Sequence, residues 1–160
     1  HSSKEAISAE NRRKTPYQHL STNFIAHRKL IGKNPYNEDI KQYGFEDVLL
    51  GKRFKALNAK INHIDNPVLF NDFELNAVFL CKTEEALRTL STFQTELKGY
   101  SNLLKITGKL QKMHISWIGV WLYKFLHKPL KHNLKGNNPS VFLFNIYKLL
   151  YFLHYNSIRK

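Results

Sequence analysis

The sequence predicts an α/β fold followed by a basic helical tail, and three observations carry that expectation. Two short apolar runs, residues 20–26 and 60–64, sit among turn-forming residues and read as strands on either side of an apolar helix at 45–57. From residue 76 onward, apolar residues recur at helical spacing. Acidic residues stop after position 96: residues 1–96 hold 14 Lys and Arg against all 12 Asp and Glu, whereas 97–160 hold 11 Lys and Arg and no acid.

Residues 1–19 are polar and read as a solvated helix or loop that stops before Pro16. The run from Leu20 to Ala26 reads as a strand, with Thr22 and Asn23 at its edge, and Gly32 and Asn34-Pro35 mark a turn region. Phe45, Val48, Leu49, Leu50, Phe54 and Leu57 make the next helix apolar on several sides, which predicts a buried element. Lys60 to Ile64 reads as the strand after it, closed by Asn66-Pro67.

The clearest helix spans 76–98, with Asn76 as N-cap, Gly99 as stop and Glu84–Arg88 as a favourable pair one turn apart. Another helix follows over 100–113. Two aromatic-rich segments, 114–127 and 141–153, complete the chain, the first ending before Pro129. A basic connector rich in Gly and Asn joins them over 131–139. Neither segment has the roughly 20 consecutive apolar residues that a bilayer crossing requires. The expected organisation is an α/β unit over 1–98 and a basic, aromatic-rich helical tail over 99–160.

With 42% hydrophobic and 13% aromatic residues, a disordered chain is excluded. The single cysteine, Cys81, excludes a disulfide framework and reads as a buried thiol in a reducing compartment. The chain opens at His1, and its only methionine is Met113, so it reads as a piece of a longer protein. The seven histidines other than His63 show no ligand spacing for zinc.

The segment Tyr43-Gly44-Phe45-Glu46-Asp47-Val48-Leu49-Leu50-Gly51 places two carboxylates where a loop turns into a helix. Acids in a first turn can simply complement the helix dipole. They can also position a catalytic base, and since successive helical residues point about 100° apart, one would act while the other orients substrate.

Several spaced motifs in order bear on that choice. Thr22-Asn23-Phe24-Ile25, Pro35-Tyr36-Asn37-Glu38, the 43–51 segment, His63-Ile64-Asp65-Asn66-Pro67 and Lys82-Thr83-Glu84-Glu85-Ala86-Leu87 together resemble glycosyltransferase family 2. The likeness is to the C-terminal half of its catalytic domain, especially in bacterial members that build surface glycans, and covers about residues 15–98. It implies a GT-A fold and transfer of a sugar from a nucleotide-sugar donor to a glycan or lipid-linked acceptor, with inversion. By position, Asp47 becomes the general base and Glu46 the acceptor ligand, while Asn23, Tyr43, Gly44 and Phe45 become substrate-binding residues.

The resemblance also implies a divalent metal, Mg or Mn, in the intact enzyme, held mostly by residues outside this chain, because the family's D-x-D motif lies upstream. Phe70 stands where many relatives have a metal-contacting histidine. Asp72-Phe73-Glu74 reads as a loop coincidence, and His63 reads as a structural residue or a substitute ligand. Localisation is expected to be cytoplasmic, with peripheral attachment at the inner face of the cytoplasmic membrane if the tail binds lipid.

The tail itself allows three readings: a packed helical face with solvated lysines, a segment held at an anionic membrane surface, or a nucleic-acid binder. No recognition motif accompanies the charge, which disfavours nucleic acid. In the membrane reading Trp117, Trp121, Tyr147, Tyr151 and Tyr155 are the interfacial aromatics. The alternative to an enzyme is a non-catalytic basic module that binds a membrane or another polyanion.

Overall fold

In a computed structural model, which describes residues 7–18, 20, 23–32, 34, 36–66 and 73–159, the regular structure is entirely helical. Seven helices occur among the described residues: α1 (Ala9–Lys14), α2 (Arg28–Ile31), α3 (Glu46–Ala56), α4 (Asn76–Thr92), α5 (Asn102–Lys112), α6 (Ser116–Lys135) and α7 (Val141–Ile158). No strand is found among them, which overturns the expected α/β, GT-A-type fold. The described residues form two compact units, one drawn from within 1–41 and 45–72, the other from within 42–44 and 73–160.

The N-terminal unit shows why the expected strands do not pair. Alternation is present, with Phe24 and Ala26 packed inward and Ile25 fully exposed, yet the segment leads into the short helix α2. Residues 59–66 also run without helix, but side chains occupy their carbonyl groups. Tyr17 Oη donates to Ala59 O (3.0 Å), Arg13 Nε to His63 O (2.9 Å) and Arg12 Nη2 to Ile64 O (2.9 Å). Backbone acceptors must find donors somewhere, and here the arginines of α1 supply them in place of a neighbouring strand.

Helix α1 is in turn tied to this segment, as Ala9 N donates to Asp65 Oδ1 at 3.1 Å. His63 is buried, with Nε2 2.9 Å from Pro16 O, which gives it the structural role. The core of the unit is Leu20, Leu50, Phe54 and Ala59, with the Phe24 ring edge-on to Phe54.

Helix α3 ends in a Schellman turn. Asn58 takes φ +49°, Asn58 N bonds Lys55 O, and Ala59 N bonds Phe54 O. Leu57, expected in the buried face, is half exposed at this end. Gly51 lies where α3 crosses the chain at Tyr17: a Cβ there would stand 2.0 Å from Tyr17 O.

The second unit is built around α7. Tyr147, Leu150, Tyr151, Phe152 and Leu153 are buried on it. Helix α6 runs antiparallel to it, since Gly119 faces Leu153, Tyr123 faces Tyr151, and Lys131 lies over Tyr147. Helix α4 runs parallel to it, through Phe79–Phe144, Glu84–Tyr147, Arg88–Tyr151 and Ser91–Asn156. Leu80, Leu87, Leu90, Leu97, Leu130 and Leu134 complete the core. These contacts group α4 with the tail helices, although an expected boundary near 98 would separate them.

Several local expectations change. Asn76 is the first helical residue, and its side chain donates to Gly136 O at 2.7 Å, leaving Leu75 as a cap without a side-chain bond. Helix α4 is regular only to Thr92 and continues as turns to residue 100, with Leu97 buried. Cys81 is exposed, because it points away from the Leu80–Leu87 stripe.

Helix α6 continues through Pro129 to Lys135, so half of the expected connector is helical. Pro129 is on the exposed side, where the lost hydrogen bond faces water, while Leu130 and Leu134 hold the helix down by burial. No helix among the described residues is long and apolar enough to cross a membrane.

The polar heart of this unit is Glu84. It accepts from Tyr147 Oη and pairs with Lys131 Nζ at 2.8 Å, and Tyr147 is fully buried. Burial and the neighbouring carboxylate push the Tyr147 phenol upward, so it stays a donor.

Two stability predictions follow from these packings. Gly51→Ala loses more to the clash with Tyr17 O than it gains in helix propensity, destabilising the N-terminal unit by about 1–3 kcal/mol. Faster hydrogen exchange of the α3 amides reads this out. Tyr147→Phe leaves a mostly buried carboxylate short of one donor and costs about 1.5–3 kcal/mol. Urea unfolding followed by the fluorescence of Trp117 and Trp121 reports it.

Candidate active site

Both carboxylates singled out by sequence, Glu46 and Asp47, lie in the first turn of α3, and the backbone just before it is unusual. Gly44 has φ +105° and Phe45 φ +69°, two successive left-handed residues just before the helix. Gly44 is required on two counts: its φ, and a Cβ that would stand 2.7 Å from Ala86 Cβ. Phe45 has no such excuse. A left-handed L-residue costs about 1–2 kcal/mol, and such strain is held only where surrounding structure over-determines it.

Phe45 occupies the N-cap position and supplies no side-chain cap. Helix α3 therefore begins with an open ring of backbone donors. Asp47 fills part of the gap from inside the first turn, its Oδ1 accepting from Val48 N at 2.8 Å.

The two carboxylates then diverge. Asp47 is an exposed residue whose carboxyl is nevertheless partly desolvated. That desolvation pushes its pKa above the ordinary aspartate value, the Val48 N–H opposes the shift, and the Glu46 charge adds to it. Glu46 is half-buried, and its Oε2 is buried with no hydrogen-bond partner among the described residues. An unsatisfied buried acceptor carries a desolvation penalty, which a donor from a bound molecule would relieve.

The other expected site residues divide between the units. Asn23 is exposed, and its amide donates to Asn66 O at a long 3.5 Å, joining two of the motif segments within the N-terminal unit. Tyr43 and Gly44 group with the helical unit, while Phe45, Glu46 and Asp47 group with the N-terminal one. Tyr43 O accepts from Thr89 Oγ1 at 3.0 Å, and the Lys82 ammonium lies 5.7 Å from the centre of the half-exposed Tyr43 ring. Thr22, Pro35, Pro67, Phe70 and Asp72 lie outside the described residues. Glu74, of the D-x-acid triplet, pairs with Lys82.

Sequence reasoning missed the arginines. Arg53, in the last turn of α3, donates to Asn34 O and Ile31 O, pinning the loop that holds Tyr36 and Asn37. Arg12 and Arg13 do the same for 63–64. The only signal was their position at helix C-termini, where cations suit the dipole.

The described residues do not fit a divalent ion. No three His, Cys, Asp or Glu side chains among them come together as a metal-holding group, His63 is engaged with Pro16 O, and Asp65 with Ala9 N.

In carboxyl-observed NMR, Asp47 is expected to titrate above the ordinary aspartate range, and Glu46→Gln to bring it down by removing a like charge. An unshifted Asp47 in both proteins refutes this picture of the site. No family model, curated protein or solved structure matches the chain.

Proposed function

We propose that this chain is the acceptor-side part of an inverting glycosyltransferase, with Asp47 as general base and Glu46 as acceptor ligand. The observation that carries the reading is the contrast between the two carboxylates at one uncapped helix mouth. One is exposed with a raised pKa, and the other holds a buried oxygen that lacks a donor among the described residues. The ordered motifs that resemble glycosyltransferase family 2 supply the reaction class.

The chemistry suits the pair. In an inverting displacement the acceptor hydroxyl attacks the anomeric carbon on the face opposite the leaving nucleotide. Its proton must leave as the new glycosidic bond forms, and Asp47 takes it. A base with a pKa raised toward working pH is a better proton acceptor, while Glu46 Oε2 would accept a hydrogen bond from a second acceptor hydroxyl. In this reading the nucleotide-sugar donor and its divalent metal are held by residues outside this chain, and the reaction takes place on the cytoplasmic side of the membrane.

Asp47→Asn in the intact enzyme should lower turnover by at least ~10²-fold with donor binding nearly unchanged. The assay is sugar transfer from a panel of nucleotide sugars, with donor affinity measured separately. Turnover within a few-fold of the unmodified enzyme, in a variant with native helicity, would rule out Asp47 as the base.

A further inference from the structure

Helix α6 presents two unlike faces. Gly119, Tyr123, Leu130 and Leu134 turn toward α7, with Leu130 and Leu134 buried. At about 100° per residue, Trp117, Trp121, Lys124, Phe125, Lys128, His132 and Lys135 fall within one arc on the other side. Every one of these seven residues is exposed, Trp117 by 65%, Trp121 by 55% and Phe125 by 62%. Exposed Met113, in the turn before α6, extends the apolar end. The face is thus aromatic over its first half and basic over its second.

A groove of about 380 Å³ opens beside it, lined by Trp117, Trp121, Lys124, Gln111 and Asn156 among others. The segment that carries this face, residues 97–160, contains 11 Lys and Arg and no Asp or Glu. The nearby acid Glu84, on α4, is already paired with Lys131.

From this arrangement we infer that the exposed face of α6 is a docking surface for an anionic lipid bilayer. Trp117, Trp121 and Phe125 would enter the headgroup boundary, and Lys124, Lys128 and Lys135 would contact the lipid phosphates. Large apolar side chains left in water mark an interaction surface. Charge complementarity selects the occupant: a polyanionic surface attracts this unit, and indole rings settle at the bilayer interface. Trp117 to Phe125 span about 12 Å along the helix, which suits a helix lying in the interface plane and not one crossing it. The inference is independent of the catalytic reading, because none of its residues belongs to the α3 site.

The two tryptophans of the chain both lie on this face, so their fluorescence reports its occupancy directly. Vesicles of phosphatidylcholine with phosphatidylglycerol should shift the emission of the 160-residue chain to the blue and protect it from acrylamide. The same lipids brominated on their acyl chains should quench it. Binding should exceed that to phosphatidylcholine alone by at least about ten-fold and weaken as salt rises. Lys124→Glu with Lys128→Glu, both at exposed positions, should abolish the preference for anionic lipid.

No shift and no quenching with anionic vesicles, or equal responses to both vesicle types, would overturn the inference. So would a blue shift that grows with protein concentration before lipid is added, since a second copy of the chain would then cover the face. The same holds for a shift produced by RNA alone with no response to vesicles. Should the double variant fail to fold, quenching of the unmodified chain by brominated lipid decides the question alone.

Discussion

The arrangement of the helical unit depends on enclosing α7. That helix is apolar around nearly its whole circumference, from Val141 to Leu153, and no single partner could bury it. Helices α4 and α6 flank it, one parallel and one antiparallel. At roughly 25 cal/mol per Å² of apolar surface removed from water, burying Tyr147, Leu150, Phe152 and Leu153 is a large term for a small unit. Enclosure has a second effect. Of the polar groups carried inward with the aromatics, the Tyr147 and Tyr151 hydroxyls meet Glu84 and Arg88, and the Asn156 amide meets Ser91 and Gln94. The same helix pairings therefore bury apolar area and satisfy hydrogen bonds.

At the start of α3 the structure accepts costs in the opposite direction. A helix N-terminus is ordinarily closed by Ser, Thr, Asp or Asn at the cap. Here the cap is Phe45 in a left-handed conformation, and Asp47 turns back to the next amide. A well-capped helix would be more stable but would engage its acids fully. Instead Glu46 Oε2 has no hydrogen-bond partner among the described residues, and Asp47 is partly desolvated. Local rules fail at this point, and such failures concentrate at functional or strained sites.

Much of this was legible in the residues, and the losses have identifiable causes. Helical periodicity located α3, α4, α5 and the starts of α6 and α7, because burial on one face leaves a repeating mark. The in–out alternation at Phe24, Ile25 and Ala26 was also real. Alternation shows only that a segment lies on a core, however, and not that a neighbouring strand exists to pair with it. Arg12, Arg13 and Tyr17 take the carbonyls of 59–64, which no local pattern announces. Pro129 was read as a stop, but a proline with its carbonyl partner facing water breaks a helix less firmly than two buried leucines extend it. At the candidate site the sequence located both acids, while their different environments depend on three-dimensional burial that a linear motif does not encode.

The tail illustrates that limit most clearly. By composition Trp117, Trp121, Tyr147, Tyr151 and Tyr155 look alike as interfacial aromatics, yet the structure separates them. Tyr147 and Tyr151 are buried, with hydroxyls engaged by Glu84 and Arg88, whereas both tryptophans are more than half exposed. The difference follows from the helices that carry them. Apolar residues surround the tyrosines of α7, so any orientation buries some of them. Helix α6 has one apolar stripe, Gly119–Tyr123–Leu130–Leu134, that suffices to cover α7. Its remaining aromatics have no core left to fill, and they sit one turn from Lys124 and Lys128. Trp117, Trp121 and Phe125 are thus surplus to folding, and a surface aromatic over one half and basic over the other suits the boundary between lipid headgroups and acyl chains.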